Sequence, residues 1–447
     1  MFKRKIEKCL KEWKSDEHKM PLIIKGCRQC GKTFSVLDFA HKNYEHVVYI
    51  DFFQHPEYKS VFDGGLDIDL LCMTLSTLIP DANFVSGKTC IIFDEIQECP
   101  RARTALKFFK TDGRYDVIGT GSLLGVSGYH TNASSEAPIP VGYETIIDMY
   151  PMDFEEWLWA NGIKKMTIDY LHRCLEEKTP VQEAIHERMR QLLLQYCIVG
   201  GMPRAVSVFM ETHNMQNVLR MQQAIIEEYK VDMLKYAPQA DKSRIRECFE
   251  SIPRQLSKEN KKFAYATVRP NGRGRDYQGS LQWIEDAGII RRCYNLSAPE
   301  LPLDGNANPD QFKVYMADTG LFISMLEPGT AADILQGNLY GYKGAFFENL
   351  VADIFGKMNR KLYYFRKDSG LEIDFVTRYE GKCTLVEVKA SNGNIKSAKT
   401  ILSNPEKYHV SQAIKLGDVN VETAPQTFIL PLYMAFLLEN RVTTLLE

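Results

Sequence analysis

The chain has 447 residues, which corresponds to roughly three domains at about 150 residues each and excludes a single small fold. Its residues are 45% hydrophobic, 25% charged and 11% aromatic, the composition of a folded globular protein and not of a disordered or collagen-like one. With 55 Lys and Arg against 57 Asp and Glu, the net charge is −2, so no overall charge attracts the chain to nucleic acid or to an anionic membrane.

The cysteines and the N-terminal segment bear on the compartment in which the chain works. There are 11 cysteines, an odd number spread from Cys9 to Cys383, which favours reduced thiols over a secreted disulfide framework. The first 20 residues are charged and contain no apolar stretch of the kind that a secretory signal has. No apolar run approaches the roughly 20 residues that cross a bilayer. We therefore expect a cytoplasmic protein that makes no contact with a membrane.

Residues 21 to 150 predict a parallel α/β sheet. Short β-branched runs alternate there with helical patterns, which is typical of βα units. The runs are PLIIK, HVVYIDFF, KTCIIFDE, YDVIGTG and ETIIDMY. From residue 153 to about 240 the pattern is helical and is broken at Gly200, Gly201 and Pro203, which predicts an all-α extension.

Residues 243 to 330 have the order of elements of a winged helix. A helical stretch is followed by a second one, in which Tyr277, Leu281 and Ile284 are spaced for one apolar face that ends at Gly288. The strand IIRRCYNL, a polar stretch at 297–310 and QFKVYMADTGLF then follow, as a strand pair with its loop would.

The winged-helix segment is also rich in basic side chains. They are Lys258, Lys261, Lys262, Arg269, Arg273, Arg275, Arg291 and Arg292. Such a group can neutralise phosphates, and we therefore expect a contact with double-stranded DNA here. The alternative is a packing module whose basic residues lie on a solvated face.

Residues 331 to 447 predict a further α/β unit. A helix near 343–358 precedes the runs LYYFR, LEIDFV and TLVEVKA, whose hydrophobicity alternates as it does in strands. The predicted domains are 1–152, 153–242, 243–330 and 331–447.

The segment GCRQCGKT at 26–33 matches the phosphate-binding motif G-x-x-x-x-G-K-[ST]. It follows the apolar run PLIIK and precedes a helical pattern, which is the context that the motif needs. The loop amides and the start of the helix can hold the β- and γ-phosphates, while Lys32 adds a positive charge and Thr33 a hydroxyl for Mg²⁺. ATP and Mg²⁺ are therefore the expected cofactors. The expected nucleotide contacts are Gly26, Cys27, Arg28, Gln29, Cys30, Gly31, Lys32, Thr33 and Phe34.

Cys27 and Cys30 within this loop also form C-x-x-C, a spacing found in zinc and redox sites. Zinc would need two further ligands, and no second C-x-x-C is present. A metal at these positions would also compete with the loop conformation that binds phosphate. We therefore assign both residues to the phosphate loop, with oxidative inactivation as the alternative role.

A second motif, CIIFDEIQ at 90–97, is an apolar strand that ends in two carboxylates, as a Walker B segment does. We expect Asp94 to bind the Mg²⁺ shell and Glu95, which faces the other way, to polarise the attacking water. The run HVVYIDFF lies between the two motifs and is expected to place one strand between them, as in ATPases with a catalytic glutamate. The alternative is a pair of acidic residues that only caps a strand.

Other polar side chains can serve the same site. Thr120 and Ser122, at the end of VIGTGS, can hydrogen-bond the γ-phosphate or the water. Arg28, Arg101 and Arg204 can stabilise charge in the transition state, and Arg204, after the GGMP break, is the preferred one. The alternative for each arginine is a solvated surface position. The expected catalytic residues of this site are Lys32, Asp94, Glu95, Ser122 and Arg204.

The C-terminal unit carries a second candidate centre. Alternation in LEIDFV turns Asp374 away from the apolar face, and alternation in TLVEVKA puts Glu387 and Lys389 on one face. If the two strands pair, two carboxylates can hold a divalent ion while the ammonium orients a water for phosphodiester attack. Glu348 on the preceding helix can complete the metal shell, so the expected metal ligands are Glu348, Asp374 and Glu387. The alternative is a solvated strand face.

Taken with these motifs, the chain resembles a large group of bacterial and archaeal AAA-superfamily ATPases that carry a C-terminal restriction-endonuclease-like domain. The strings that carry the resemblance are GCRQCGKT, IIFDEIQ, GTGSLL, YPMDFEEWL, GGMPR, YMADTGL, GAFFENL and YYFRKDSGLEIDFV…LVEVKAS. It implies an α/β fold in which a parallel P-loop NTPase sheet is followed by an α-helical and winged-helix region and a small α/β nuclease-like domain. The residue roles that it implies are ATP at Gly26 to Thr33, Mg²⁺ at Thr33 and Asp94, a base at Glu95, and a nuclease-like centre at Asp374, Glu387 and Lys389.

Two functions remain open from these observations. The first is an ATP-hydrolysing enzyme whose nucleotide state acts on DNA through the winged-helix and nuclease-like modules. The second is a nucleotide-dependent switch or scaffold for a protein partner, in which the C-terminal domain is not catalytic. ATPases of this superfamily often assemble so that a neighbouring subunit supplies an arginine, so a homo-oligomer is a further alternative.

Overall fold

The computed structural model describes residues 2–122, 142–258, 261–338, 343–389 and 393–439. The chain forms two compact units. Unit 1 comprises Met1–Pro151, Ala237–Gln239 and Asp286–Gly288, and unit 2 comprises Met152–Tyr236, Ala240–Glu285 and Ile289–Glu447. Within the described residues, no helix is long and apolar enough to cross a membrane.

Unit 1 is built around a parallel sheet, as the alternating runs predict. Its helices are α1 (Ile6–Ser15), α2 (Lys32–Asn43), α3 (Ile68–Leu78) and α4 (Pro100–Asp112), and its strands are β1 (Leu22–Lys25), β2 (His46–Asp51), β3 (Thr89–Asp94), β4 (Asp116–Gly121) and β5 (Thr145–Asp148). The strand order is β2-β3-β4-β1-β5, and each neighbouring pair is parallel. This sheet is consistent with a P-loop NTPase fold.

The sheet of unit 1 has an apolar core on each face, which explains its unbroken apolar strands. Successive side chains of β3 point to opposite faces. Cys90 and Ile92 accordingly pack in a cluster with Val36 of α2, whereas Ile91 and Phe93 belong to a second cluster that includes side chains of α3 and α4. A strand that is buried on both faces has no polar side to present, so period-two alternation disappears from its sequence.

In the sheet, the strand that lies between β1 and β3 is β4. This corrects the expectation that the run HVVYIDFF would lie there. The run HVVYIDFF forms β2, which lies at the edge of the sheet beside β3. The chain crosses over from β1 to the far side of β3 and returns, so that VIGTG, which comes later, fills the central position. Sequence order did not predict spatial order because the crossover connections leave no local signal.

Unit 2 combines a helical region with a mixed sheet. Its helices are α5 (Phe154–Ala160), α6 (Lys165–Glu177), α7 (Glu183–Val199), α8 (Pro203–Thr212), α9 (Met215–Tyr236), α10 (Lys242–Leu256), α11 (Tyr265–Val268), α12 (Gly274–Asp286), α13 (Thr319–Ser324), α14 (Thr330–Gln336), α15 (Lys343–Lys357), α16 (Lys396–Leu402) and α17 (Pro405–Tyr408). Its strands are β6 (Ile290–Leu296), β7 (Ala307–Met316), β8 (Leu362–Arg366), β9 (Glu372–Tyr379), β10 (Lys382–Lys389), β11 (Gln412–Gly417), β12 (Glu422–Ala424) and β13 (Thr427–Pro431). The order in the sheet is β12-β13-β11-β10-β9-β8-β6-β7.

The segment predicted as a winged helix has its elements in the expected order but shares its sheet. α10, α11 and α12 are followed by the antiparallel pair β6 and β7. β6 also pairs in parallel with β8, from Cys293 opposite Leu362 to Leu296 opposite Phe365. The strands on either side of residue 330 therefore belong to one sheet, and the division of this region into separate domains stays a prediction.

A buried ionic group joins α7, α13 and α15 in unit 2. The ammonium of Lys357, with 1% of its side chain exposed, lies 3.3 Å from Oδ2 of Asp318 and 2.9 Å from Oδ1 of Asp353. It also donates to the hydroxyl of Tyr196 at 2.9 Å. Asp318 in turn accepts from the backbone N–H of Gly201 at 2.7 Å, just after α7 ends. The predicted break in the helical region is thus fixed by a charge cluster in the core.

Candidate functional site

The predicted phosphate loop connects β1 to α2, and its backbone favours glycine at two positions. A Cβ atom at Gly26 would overlap the backbone oxygen of Met149, which follows β5. Gly31 precedes α2 with a φ of 98°, and Gln29 has a φ of 64°. Left-handed backbone is easiest for glycine, so the first and second glycines of the motif each meet a steric requirement of the loop.

Lys32 holds the loop together from within. It is buried, and its ammonium donates to the backbone oxygens of Gly26 at 2.9 Å and of Cys27 at 3.0 Å. Both acceptors are neutral carbonyls, so an anion that enters the loop offers the ammonium a stronger, charge-assisted partner. The arrangement therefore suits a phosphate group.

Asp94, at the end of β3, is the centre of a group of hydroxyls. Its Oδ2 accepts from Thr33 Oγ1 at 2.9 Å and from the Tyr49 hydroxyl at 2.7 Å, and its Oδ1 accepts from Thr120 Oγ1. Burial raises the pKa of Tyr49, and the Asp94 carboxylate raises it further, so the phenol stays protonated and donates. The structure thus brings together the two residues expected to bind Mg²⁺, Thr33 and Asp94.

Sequence reasoning did not single out Tyr49. The signal that could have found it is the alternation in β2, which places Tyr49 and Asp51 on one face at the carboxyl end of the strand. Asp51 lies opposite Asp94 in the pairing of β2 with β3. The contact between Tyr49 and Asp94 could not be predicted, because the sequence does not show that β2 lies beside β3.

Glu95 has a separate set of partners, as expected for a residue that faces away from Asp94. Its Oε2 accepts from Ser122 Oγ at 3.0 Å and from Gln97 Nε2 at 2.5 Å. Its backbone is left-handed, with a φ of 48°. Ser122 therefore orients the carboxylate of Glu95, a contact that the expected role of Ser122 toward phosphate or water did not include, and Gln97 is an additional partner.

The arginine candidates differ in what they contact. Arg28 lies over the ring of Phe53, with 5.9 Å between the guanidinium carbon and the ring centroid. Arg101 donates from Nε to the backbone oxygen of Phe62 at 2.6 Å, at the end of the short 3-10 helix Pro56–Phe62 that precedes α3. Arg204 lies in unit 2, where its guanidinium is half-exposed and 3.4 Å from Glu228. The role expected for Arg204 stays a prediction.

Phe34 and the two loop cysteines have opposite exposures. Phe34, in the first turn of α2, is 59% exposed, whereas Cys27 and Cys30 are buried and both are free thiols. A side-chain hydrogen bond with Cys27, together with the charges of Lys32 and Arg4, lowers the pKa of Cys30 to about 6 against the opposing effect of burial. Arg4 was not expected at this site; it donates to the backbone oxygen of Cys30 at 2.9 Å and braces the loop.

Three residues of the predicted C-terminal centre lie close together, because β9 and β10 pair antiparallel. The ammonium of Lys389 lies 2.6 Å from Oε2 of Glu387 and 3.5 Å from Oδ2 of Asp374. Asp374 also accepts from the backbone N–H of Val388 at 2.8 Å. Burial and the charge of Glu348 raise the pKa of Asp374 to about 7. The three predicted residues therefore converge.

Two further lysines contact Glu348, and sequence reasoning did not assign them to this centre. Lys313 of β7 lies 3.5 Å from Oε2 of Glu348, and Lys261 pairs with Oε1 of the same carboxylate. Tyr315 donates to Oε2 at 3.0 Å. The signal for Lys313 is its place in the apolar run FKVYM, because a lysine buried in a strand needs a charged partner.

The carboxylates of this centre do not fit the expected metal shell. Across the described ranges, no group of three or more His, Cys, Asp or Glu side chains is arranged to hold a metal ion. Both oxygens of Glu348 and one oxygen of Glu387 already have ammonium partners. We therefore derive no metal-dependent step at Glu348, Asp374 and Glu387.

The basic residues of the winged-helix segment fall into two groups. Lys261 and Arg292 have carboxylate partners, Glu348 and Glu285. Lys258 donates to the hydroxyl of Thr267. Lys258 is exposed, as are Arg269, Arg273 and Arg275, which lie in the turn between α11 and α12 and at the start of α12. A surface for phosphates would therefore be centred on that turn.

Comparisons with known proteins agree with the geometry of unit 1. Residues 18–158 match a family model described as an AAA domain. Residues 190–331 and 343–434 match two models described as domains of unknown function, DUF8612 and DUF4143. Among curated proteins, no sequence matches the chain.

Forty chains of solved structures also match. One is the Walker-type ATPase of Pyrococcus abyssi, with 13% identity, a TM-score of 0.42 and coverage of 73% of this chain and 96% of that one. Another is the ORC1 protein of Aeropyrum pernix in complex with DNA, with 10% identity, a TM-score of 0.28 and coverage of 75% and 91%. It is the AAA match, together with the parallel sheet, that supports a nucleotide-binding ATPase of the AAA type in residues 18–158.

Proposed function

We propose that the chain binds ATP with Mg²⁺ in the loop from Gly26 to Phe34 and hydrolyses it. The observation that carries the proposal is the direct hydrogen bond between Thr33 and Asp94, which joins the end of the phosphate loop to the acidic end of β3. Lys32, inside the loop, provides the cation for the phosphates. These residue types in this arrangement are the parts that P-loop NTPases use.

Each residue has a distinct proposed role. The loop amides and the start of α2 hold the phosphates, and Lys32 exchanges its carbonyl partners for phosphate oxygens. Thr33 and Asp94 would hold Mg²⁺, which when bound neutralises charge on the β- and γ-phosphates. Glu95 orients and deprotonates the attacking water, and Ser122 keeps the carboxylate of Glu95 in place.

Binding can be tested by calorimetry with Mg²⁺-ATP. We expect Lys32→Ala to abolish the binding heat, because the phosphates lose their one buried cation within the loop. The matched control is Lys42→Ala, on the same helix, since Lys42 is exposed and pairs with Asp38 at 2.6 Å. Binding by Lys32→Ala at the affinity of the unmodified chain would refute the proposed site.

Hydrolysis can be tested by phosphate release. We expect Glu95→Gln to lower turnover by about 10²- to 10⁴-fold, the usual contribution of a general base, while ATP binding persists. Glu98→Gln is the control, because the carboxylate of Glu98 pairs with Lys59 at 3.1 Å, whereas that of Glu95 accepts from Ser122 and Gln97. Ser122→Ala should lower turnover less than Glu95→Gln does. Unchanged turnover in Glu95→Gln would remove Glu95 from the mechanism.

A second proposal is contact with double-stranded DNA through unit 2. It is supported by three exposed arginines, Arg269 and Arg273 in the turn between α11 and α12 and Arg275 in the first turn of α12, and by the element order α10-α11-α12-β6-β7. In a salt titration of DNA affinity, replacing Arg273 and Arg275 by alanine should flatten the slope by about 0.9 for each lost phosphate contact. Equal slopes would refute this surface.

The effect of DNA on ATP turnover separates the two functional readings. Stimulation by DNA supports an enzyme whose nucleotide state acts on nucleic acid. Slow turnover that DNA leaves unchanged supports the alternative, a nucleotide-dependent switch or scaffold for a protein partner, with or without assembly into a homo-oligomer.

A further inference from the structure

The charges around Glu348 are balanced within the protein. The carboxylates of the cluster are Glu348, Glu372, Asp374 and Glu387, and its cations are Lys261, Lys313, Arg366 and Lys389. With each carboxylate and each cation charged, the formal charge of this set is zero. A divalent cation binds where carboxylate oxygens supply uncompensated negative charge, and this set supplies none.

Lys313 is the member with no route to solvent. Its side chain is 1% exposed, and its ammonium lies 2.8 Å from Oε1 of Glu372 and 3.5 Å from Oε2 of Glu348. The same nitrogen lies 4.8 Å from the centre of the Tyr364 ring, whose face also attracts a cation. An ammonium in contact with two carboxylates and a ring supplies, among these carboxylates, the positive charge that a metal ion would supply.

We infer that the buried ammonium of Lys313 takes the place of a divalent cation among the C-terminal carboxylates, so that this centre is a metal-independent ionic cluster. The cluster binds α15, β7, β9 and β10 to one another through side-chain charges. It also accounts for the convergence of Asp374, Glu387 and Lys389 without phosphodiester cleavage. The inference does not depend on ATP hydrolysis in unit 1.

Removal of the Lys313 ammonium should create a metal site among these carboxylates. Lys313→Met keeps the volume of the side chain close to that of lysine but removes one positive charge, which leaves the cluster with a formal charge of −1 when all four carboxylates are ionised. We therefore expect this variant to bind a divalent cation that the parent does not bind. An oxygen-ligand site of this kind should have a dissociation constant of about 10⁻⁴ to 10⁻³ M.

The experiment is a titration with Mn²⁺, in which electron paramagnetic resonance measures the free ion. It uses the nucleotide-free full chain with Asp94→Asn, a change that silences the proposed Mg²⁺ site in unit 1. We expect no Mn²⁺ uptake by this protein, uptake of one ion after adding Lys313→Met, and loss of that uptake after adding Asp374→Asn. The matched control is Lys361→Met, because Lys361 is exposed and pairs with Asp304 at 2.9 Å; it should bind no Mn²⁺.

Two results would overturn the inference. One is Mn²⁺ uptake by the Asp94→Asn protein that Asp374→Asn removes, since the cluster would then hold a metal with Lys313 in place. The other is no uptake by a Lys313→Met protein whose circular dichroism is native. If that variant does not fold, Lys313→Gln replaces it under the same criteria, because glutamine also removes the charge that lies beside Glu372 and Glu348 but keeps a polar group there.

Plasmid cleavage provides a second readout. With Mg²⁺ or Mn²⁺, we expect the unmodified chain and Asp374→Ala to leave plasmid DNA equally intact. Cleavage by the unmodified chain that Asp374→Ala abolishes would also overturn the inference.

Discussion

Replacing Lys357 by methionine should destabilise unit 2 strongly. The substitution keeps the length of the side chain but removes the ammonium that lies within 3.3 Å of Asp318 and 2.9 Å of Asp353. The hydroxyl of Tyr196 and the backbone oxygen of Met152 lose a donor as well. Two carboxylates then remain in the core without the ammonium that lies beside both of them.

The expected size of the effect follows from the burial of the group. Removing one partner of a buried ion pair costs about 3–5 kcal/mol, because the remaining charge is buried and unpaired. A large unit loses roughly 2–3 °C in Tm for each kcal/mol, so we expect Tm to fall by about 6–15 °C. Replacing the exposed Arg246, which pairs with Glu250 at 2.9 Å on the surface of α10, should change the free energy of unfolding by less than about 1 kcal/mol.

The assay is thermal and urea unfolding followed by tryptophan fluorescence. Trp157, Trp159 and Trp283 lie in unit 2, and Trp13 lies in unit 1, so the signal reports mainly on the unit that carries the substitution. The reasoning fails if Lys357→Met unfolds at the temperature of Arg246→Met. Such a result would mean that the core tolerates the two uncompensated carboxylates.

The pH dependence gives an independent check on the same group. Burial raises the pKa of Asp353 to about 6, above the value of 3.8 for an ordinary aspartate. The folded state therefore binds more protons than the unfolded state between these values, and stability from this group falls as pH rises from about 4 to 6. Without the ammonium the pKa of Asp353 rises further, so Lys357→Met should lose more stability at pH 8 than at pH 5. An equal loss at both pH values would contradict this account.

Two further predictions concern local structure. Gly26→Ala should abolish Mg²⁺-ATP binding and lower the free energy of unfolding by about 1–3 kcal/mol, because its Cβ would overlap the backbone oxygen of Met149. Calorimetry measures the first effect and thermal unfolding the second. Gly64→Ala, whose Cβ meets no atom within 4 Å, should change neither quantity. Asp153→Ala should lower the free energy of unfolding, measured in urea, by about 1 kcal/mol, because Asp153 accepts from the backbone N–H of Glu156 at 2.8 Å and caps α5. Asp169 is exposed, and Asp169→Ala should change the same free energy by less than about 0.5 kcal/mol. A loss at Asp169 as large as that at Asp153 would contradict the capping argument.

The parts of the fold that sequence reasoning predicted are those with local signals. The phosphate loop is contiguous, and its glycines, Lys32 and Thr33 are fixed by a motif of eight residues. The five strands of unit 1 are likewise short β-branched runs. The order of these strands in the sheet depends on the crossover connections and could not be predicted from local patterns. For this reason the sequence did not predict the contact between Tyr49 and Asp94.

The C-terminal centre was also predicted only in part, because local patterns do not show contacts with distant segments. Alternation within β9 and β10 was enough to bring Asp374, Glu387 and Lys389 together. Lys313 and Lys261 come from segments far earlier in the chain, and their contact with Glu348 depends on the packing of β7 and α15. Period-two patterns report which face a side chain occupies but not which distant charge lies above that face.

The parallel pairing of β6 with β8 limits how the chain can be divided into fragments. A fragment that ends near residue 330 would keep β6 and β7 but lose β8, so one edge of β6 would expose unpaired backbone N–H and C=O groups. Exposed strand edges recruit other strands, and such a fragment should self-associate. Shorter versions of this protein should therefore be cut before α5, so that the eight-stranded sheet stays whole.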